Sequence, residues 1–419
     1  MNKIYNDDFI IKLKKDLCYL LGRSSYLIPI QLDIDSELLS AIISNCTYEE
    51  FNIIKNINLS GVCFDGVNVS EKDFTGCIGV KIDPQEVSNK SLEGAKLSGV
   101  EIVGSLNGVD VRRTDFTGSI GAKIDPQKVD GKSLEDTKLS GVEIVGSFNG
   151  VDVRRTDFTG CIGAKINPQK VRDKSLKSTK LSGAKIIGSF DGVDVRRTDF
   201  TGCIGAKIDP QEVSDKCLEG TKLSGVEIVG SFDGVDVQLA DFTGNIGAKI
   251  DPQKVFGKYL IGAKLSGVKI IGSFDGVDVR RTDFTGSIGT KIDPQRVWDK
   301  YLIGTKLGGV KVIGSFDDVN VKYTDFTGSK ETKINPQTIR HKSLRNTKLS
   351  GVEIVGSLDD VDVECTDFTG SSFSKMKLRK VKYNALKQII LNEIETNSSN
   401  LEKIKILKKI DDSVKKDKN

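Results

Sequence analysis

A 42-residue unit, repeated almost verbatim from Ile82 to Leu349, constrains this chain more than anything else in it. Asp/Asn-Pro-Gln triplets place prolines at Pro84, Pro126, Pro168, Pro210, Pro252, Pro294 and Pro336, and Asp-Phe-Thr-Gly recurs at the same interval. A period this regular predicts stacked units that bury a continuous core between neighbours. Within one copy the large apolar residues fall at Ile124, Val129, Leu134, Leu139, Ile144, Phe148, Val153 and Phe158, and the next copy opens at Ile166. The dominant spacing is five, where a helix needs about 3.6 and a flat strand 2. Five fits a chain that turns a corner every pentad and sends one large side chain per side inward.

The residue two before a large one is small or β-branched (Ala122, Thr137, Val142, Val151, Thr156), and the residue between them is polar (Lys123, Lys138, Glu143, Asp152, Asp157). The quintets Thr-Lys-Leu-Ser-Gly at 137–141 and Thr-Asp-Phe-Thr-Gly at 156–160 resemble the pentapeptide-repeat family, over roughly residues 57–379. The resemblance implies a mainly β fold, a right-handed quadrilateral parallel β-helix with four quintets per coil. Each copy then makes two coils, with one side a residue short near Phe148 and one corner carrying three extra residues, as at Cys161-Ile162-Gly163. A starter coil (Leu59, Phe64, Val69, Phe74) and seven pairs give about 15 coils, a rod of ~70 Å at the usual strand spacing.

The core ladder expected on one side is Phe74, Phe116, Phe158, Phe200, Phe242, Phe284, Phe326 and Phe368, interleaved with Leu97, Leu139, Leu181, Leu223, Leu265, Leu307 and Leu349. Gln127 and Lys132 resist the plan, because they hold inward places where a long polar side chain should not lie unpaired. Either that side opens outward or the segment from Asp125 to Gly131 bulges, with Pro126 favouring a bend. A leucine-rich repeat matches Leu139-x-x-Val142-x-Ile144 in part, but it lacks the Asn/Cys that should follow and leaves Val129 and Leu134 unexplained. The row Ile78, Ile120, Ile162, Ile204, Ile246 and Ile288 is expected to fold over the corners of adjacent coils rather than form an exposed stripe.

Three segments follow: residues 1–56 as a helical N-terminal cap, 57–380 as the β-helix and 381–419 as basic C-terminal helices. In the first, the pattern predicts helices over 8–22, from Asp35 or Ser36 through Ile43, and from a Thr47/Glu50 capping box to about Lys55. The last reads as a helical hairpin, residues 384–395 and a lysine-rich stretch from Leu401 to Val414, which could join two copies of the chain.

The net charge is +4, and residues 371–419 alone carry thirteen Lys/Arg against six Asp/Glu. The rest is nearly neutral with both signs interspersed, which disfavours nucleic acid as a partner. Cys77, Cys161 and Cys203 share a repeat position with Ser119, Asn245 and Ser287 and read as exposed turn thiols. There is one histidine, no phosphate-loop motif and no run long enough to span a membrane, so no catalytic residue, metal or cofactor is assigned and a cytoplasmic protein is expected. Arg112/Arg113, Arg154/Arg155 and Arg196/Arg197 form a possible interaction ladder, with Lys405, Lys408 and Lys409 in the tail, although flanking Asp110 and Asp115 favour weak surface ion pairs.

The reading is a non-enzymatic scaffold for an unidentified protein partner. The resemblance also offers an alternative, since some family members imitate DNA and bind DNA gyrase. Mimicry needs a strongly acidic surface, and this one is not.

Overall fold

The computed structural model describes residue 13, residues 36–54 and residues 58–377. The helices expected at 8–22 and 384–414, with Lys405, Lys408 and Lys409, lie outside these residues. The chain divides into two compact units, Met1–Gly230 and Ser231–Asn419. Each is a parallel β-solenoid, and together they hold about 14 turns.

In the first unit all four sides of the starter coil end in the same turn. The carbonyl of Leu59 accepts the N–H of Val62 at 3.2 Å, that of Phe64 accepts Val67 at 3.0 Å, and those of Val69 and Phe74 accept Lys72 and Cys77 at 3.3 and 3.0 Å. Gly61 stands third in the first of these turns at φ 81°, the position where such a turn needs the left-handed region. A hydrogen-bonded corner after most pentads is the physical content of the five-residue beat; the sides at Ile82 and Ile102, and at Ile124 and Ile144, are instead held as paired parallel strands. Between corners, parallel pairing joins successive coils: Asp73, Lys96, Asp115, Lys138 and Asp157 bridge in that order. Phe116 and Phe158 are therefore two coils apart with Leu139 between them, and all three are fully buried. The short side brings Phe148 edge-on to Phe158, with centroids 5.4 Å apart.

The second unit repeats this arrangement. Asp241, Lys264, Asp283, Lys306, Asp325, Lys348 and Asp367 bridge in succession, and Phe274–Phe284 and Phe316–Phe326 make the same edge contacts at 5.2 and 5.5 Å. The threonines in the small inward position are buried without an unpaired hydroxyl. Thr114 and Thr137 donate to the carbonyls of Leu92 and Val111 at 2.8 and 2.9 Å in the first unit, and Thr282 to that of Leu260 at 2.7 Å in the second.

The Asp-Pro-Gln segment bulges. Pro126 is buried, whereas Lys132 is exposed in a short 3-10 turn, Asp130–Lys132, with Gly131 at φ 55°. The Asp125 carboxylate accepts the Gln127 N–H at 3.2 Å, and Gln127 Nε2 then reaches out to the carbonyl of Asn149 on the next coil at 3.0 Å. Gln85 likewise binds the carbonyls of Ser105 and Asn107, both at 2.8 Å. These glutamines satisfy carbonyls that the corner leaves without a strand partner, so an apparently misplaced polar residue ties two coils together.

Ahead of the first coil, helix α1 spans Ser36–Ser44 and helix α2 spans Tyr48–Ile54. The capping box is reciprocal: Thr47 N–H donates to Glu50 Oε2 at 2.9 Å and Glu50 N–H to Thr47 Oγ1 at 3.2 Å. Phe51, fully buried, packs edge-on to Phe74 at 4.9 Å. This covers coil surface that would otherwise invite pairing with another chain.

Two predictions follow from the stacking. A Cβ on Gly146 would lie 2.7 Å from Asp125 Oδ1, in a residue already at φ 110°. Gly146→Ala should therefore lower the unfolding free energy by about 2 kcal/mol, read by chemical denaturation; an unchanged midpoint would contradict the close approach. The second is a pH dependence. Burial opposes ionisation of Asp115, Asp157 and Asp199, but hydrogen bonds from Lys138, Lys180 and Lys222 and from the threonine two residues on outweigh it and hold each carboxyl below the ordinary 3.8. A depressed folded pKa contributes stability above the unfolded value, and that contribution is lost as pH falls through the folded one. The melting temperature should be insensitive to these groups above about pH 5 and fall below about pH 4. The fall should be shallower in Asp157→Asn, and a melting temperature that rises on acidification would refute the assignment.

Candidate interaction surfaces

The arginine ladder is closed by carboxylates. The first arginine of each pair turns back on the aspartate two residues before it: Arg112 on Asp110, Arg196 on Asp194 and, in the second unit, Arg280 on Asp278, each at 2.6 Å. Arg154 grips Asp152 in the same way, Nε to Oδ1 at 2.9 Å. Side-chain hydrogen bonds to these acids hold Arg112, Arg154 and Arg196 far above the ordinary guanidinium range. The second arginine reaches an acid on a neighbouring coil: Arg113 pairs with Glu93, Arg155 with Glu135 and Asp136 at 2.7 Å, and Arg197 with Glu219 at 3.1 Å. A polyanion along this face would have to displace a carboxylate at each step.

The isoleucine row is exposed, against the expectation that it folds over neighbouring corners. Ile120, Ile162 and Ile204 are 59, 60 and 59% exposed in the first unit, and Ile246 and Ile288 are equally open in the second. The reason lies in the backbone. Ile120 N–H donates to Val100 O and its carbonyl accepts from Ile102 N–H, both at 2.8 Å, so residue 120 pairs with outward-facing Glu101. Paired residues on adjacent strands share a face, and the isoleucine is carried outward with Glu101. Val103, Val145, Ile187 and Val229 add a second exposed aliphatic row in the first unit.

The thiols at the start of that insertion are not exposed turn groups either. Cys77 and Cys161 are buried and Cys203 is half-buried. Burial pushes the Cys161 and Cys203 thiols up to about 11, which leaves them protonated and unreactive at neutral pH.

The sequence reading passed over a group of aromatic side chains in the second unit. Phe256, Tyr259, Trp298 and Tyr323 are exposed at repeat positions that hold polar residues in most other copies. The usable signal was the difference between copies, which a reading aimed at their common pattern averages away. Among the described residues, no group of three or more His, Cys, Asp or Glu side chains could hold a metal ion. Nor is any helix among them long and apolar enough to cross a membrane.

No family model and no curated protein matches this chain. Among solved structures it is similar to QnrB1, a plasmid-mediated fluoroquinolone resistance protein, at 13% identity and a TM-score of 0.11, over 73% of this chain and 97% of that one. A superposition that weak carries no argument about function. The chain's own geometry gives the fold instead: its pentads, their hydrogen-bonded corners and the parallel register of successive coils make a β-solenoid, consistent with the pentapeptide-repeat family that its quintets resemble.

Proposed function

We propose that this protein is a non-enzymatic scaffold that binds other proteins through the outer faces of its coils. The exposed isoleucine row carries the reading. Isolated exposed aliphatic residues are ordinary, whereas aliphatic side chains recurring in register on one face at every second coil, with a second exposed row at Val103, Val145, Ile187 and Val229, make a repeated apolar surface of the kind that association uses. The surrounding charges do not compete with it as a site. Lys81–Glu101, Lys123–Glu143 and Lys207–Glu227 are neutralised in pairs at 2.8–2.9 Å. Near-identical copies also spread each acid and base evenly along the solenoid, while an active site needs one converging constellation. The DNA-mimic alternative draws no support from a surface on which the acids are paired with lysine and arginine.

The repeat itself supplies a safe substitution, because Lys330 occupies the isoleucine position in one copy. The triple variant Ile120→Lys/Ile162→Lys/Ile204→Lys should melt within a few degrees of the parent and lose at least tenfold in capture of partner proteins from a native extract. Undiminished capture by a folded triple variant would contradict the proposal.

A further inference from the structure

In the second unit, two consecutive copies depart from the repeat in one direction. The place held by Ser88, Asp130, Arg172 and Ser214 in the first unit holds Phe256 and Trp298 here. The place held by Ser91, Ser133 and Ser175 holds Tyr259 and Tyr301. Most telling are the acids. Glu93, Glu135 and Glu219 neutralise the second arginine of the pairs in the first unit, and the equivalent places beside Arg281 are Ile261 and Ile303. Arg281 N–H bonds the Ile303 carbonyl at 2.9 Å, and no ion pair of its side chain occurs among the described residues.

The substituted side chains lie on successive coils. Leu239 N–H bonds the Ile261 carbonyl at 2.9 Å, Gly262 N–H bonds the Arg280 carbonyl at 3.0 Å, and Gly304 N–H bonds that of Lys322 at 3.1 Å. Two of the rings are held by neighbours. The Arg280 guanidinium sits 4.8 Å from the Trp298 centroid, Trp298 meets Tyr301 edge-on at 5.8 Å, and the Arg340 guanidinium lies 5.0 Å from the Tyr301 centroid. Arg280 and Arg340 are themselves held by Asp278 and Asp318. Phe256, Trp298 and Tyr323 nonetheless remain 57, 42 and 55% exposed.

Exposed aromatic side chains with arginine beside them have the composition of residues that dominate protein–protein binding energy, and a ring already held in place, as Trp298 is by Arg280 and Tyr301, loses little entropy on contact. We propose that this patch, resting on the scaffold reading above, docks a segment of a partner protein that presents apolar or aromatic side chains around a carboxylate, with the carboxylate received by Arg281. The loss of both glutamates beside Arg281 argues for that charge: the site keeps the cation and has discarded the acids that cancel it elsewhere.

Trp298 is the single tryptophan of the chain, so its fluorescence reports on this patch alone. The full-length protein is titrated with a random glutamate–tyrosine copolymer and, separately, with oligodeoxythymidylate. The copolymer should shift Trp298 emission to the blue with saturation, and the oligonucleotide should leave it unchanged. Two variants complete the test: Phe256→Ser/Tyr259→Ser, which restores residues found in other copies, and Arg281→Glu. Each should weaken the copolymer response at least tenfold. An unresponsive Trp298, an equal response to the oligonucleotide, or unchanged binding by folded variants would overturn the assignment. An unresponsive Trp298 with capture still dependent on the isoleucine row would do so while leaving the scaffold reading intact.

Discussion

The structure depends on one hydrogen bond repeated at the corners: the carbonyl of a large inward residue accepts the N–H three residues on. That bond turns the chain, fixes which side chain enters the core and sets the interval to the next. It also makes a demand on the backbone, because the third residue of the corner must take positive φ. Glycine meets it at Gly61 and Gly141, at φ 81° and 83°, whereas Arg113 and Arg155 occupy the same region at φ 60° and 59°. Such corners suffice only in a stack, because each coil leaves its strand groups to be satisfied by the next. The Asp115–Lys138 and Asp157–Lys180 pairs, at 2.7 and 2.8 Å, and the Gln127 side chain join coils from outside.

The sequence made the core legible because one corner per pentad converts spacing directly into direction. Leu139 and Phe158 could be placed opposite the interior without knowing any distance. Legibility failed where the spacing changes. Ile162 follows an insertion, and there the count from the last corner no longer gives the facing; backbone pairing with the previous coil does, and it turned the side chain outward. Cys161, one residue earlier, exchanges with serine in other copies, yet that exchange does not mean exposure: the turn buries small polar and thiol groups alike, and the Ser119 hydroxyl at the same place is buried with no hydrogen-bond partner among the described residues. Gln127 was legible as a conflict and not as a solution, since its partner at Asn149 lies on the following coil and no local pattern announces it. The reciprocal Thr47–Glu50 cap is the opposite case: both partners lie within four residues, and the sequence signature was enough.

The surfaces divide by the same logic. What repeats is mostly structural, as the arginine ladder of the first unit shows, with each guanidinium from Arg112 to Arg197 held by an acid two residues or one coil away. The isoleucine row repeats without such satisfaction, and that distinguishes it from a neutralised face. Departures from the repeat carry different information. Where Phe256, Tyr259, Trp298 and Tyr301 replace polar residues, the fold neither requires them nor hides most of them. Nearly identical copies thus act as an internal control, separating what the coil needs from what one stretch has acquired.

The central claim is that 42 residues, two coils closed by their corners, form the unit of structure. Deleting residues 123–164 tests it most directly, because the new junction joins Ala122 to Lys165, the same two residue types that follow one another at Ala164–Lys165. The account predicts that the shortened protein keeps a β-rich circular dichroism spectrum and a cooperative melting transition, while a 37-residue deletion from the same start, one pentad out of step, loses both. Loss of cooperative folding in the 42-residue deletion, or equal tolerance of the 37-residue one, would contradict it.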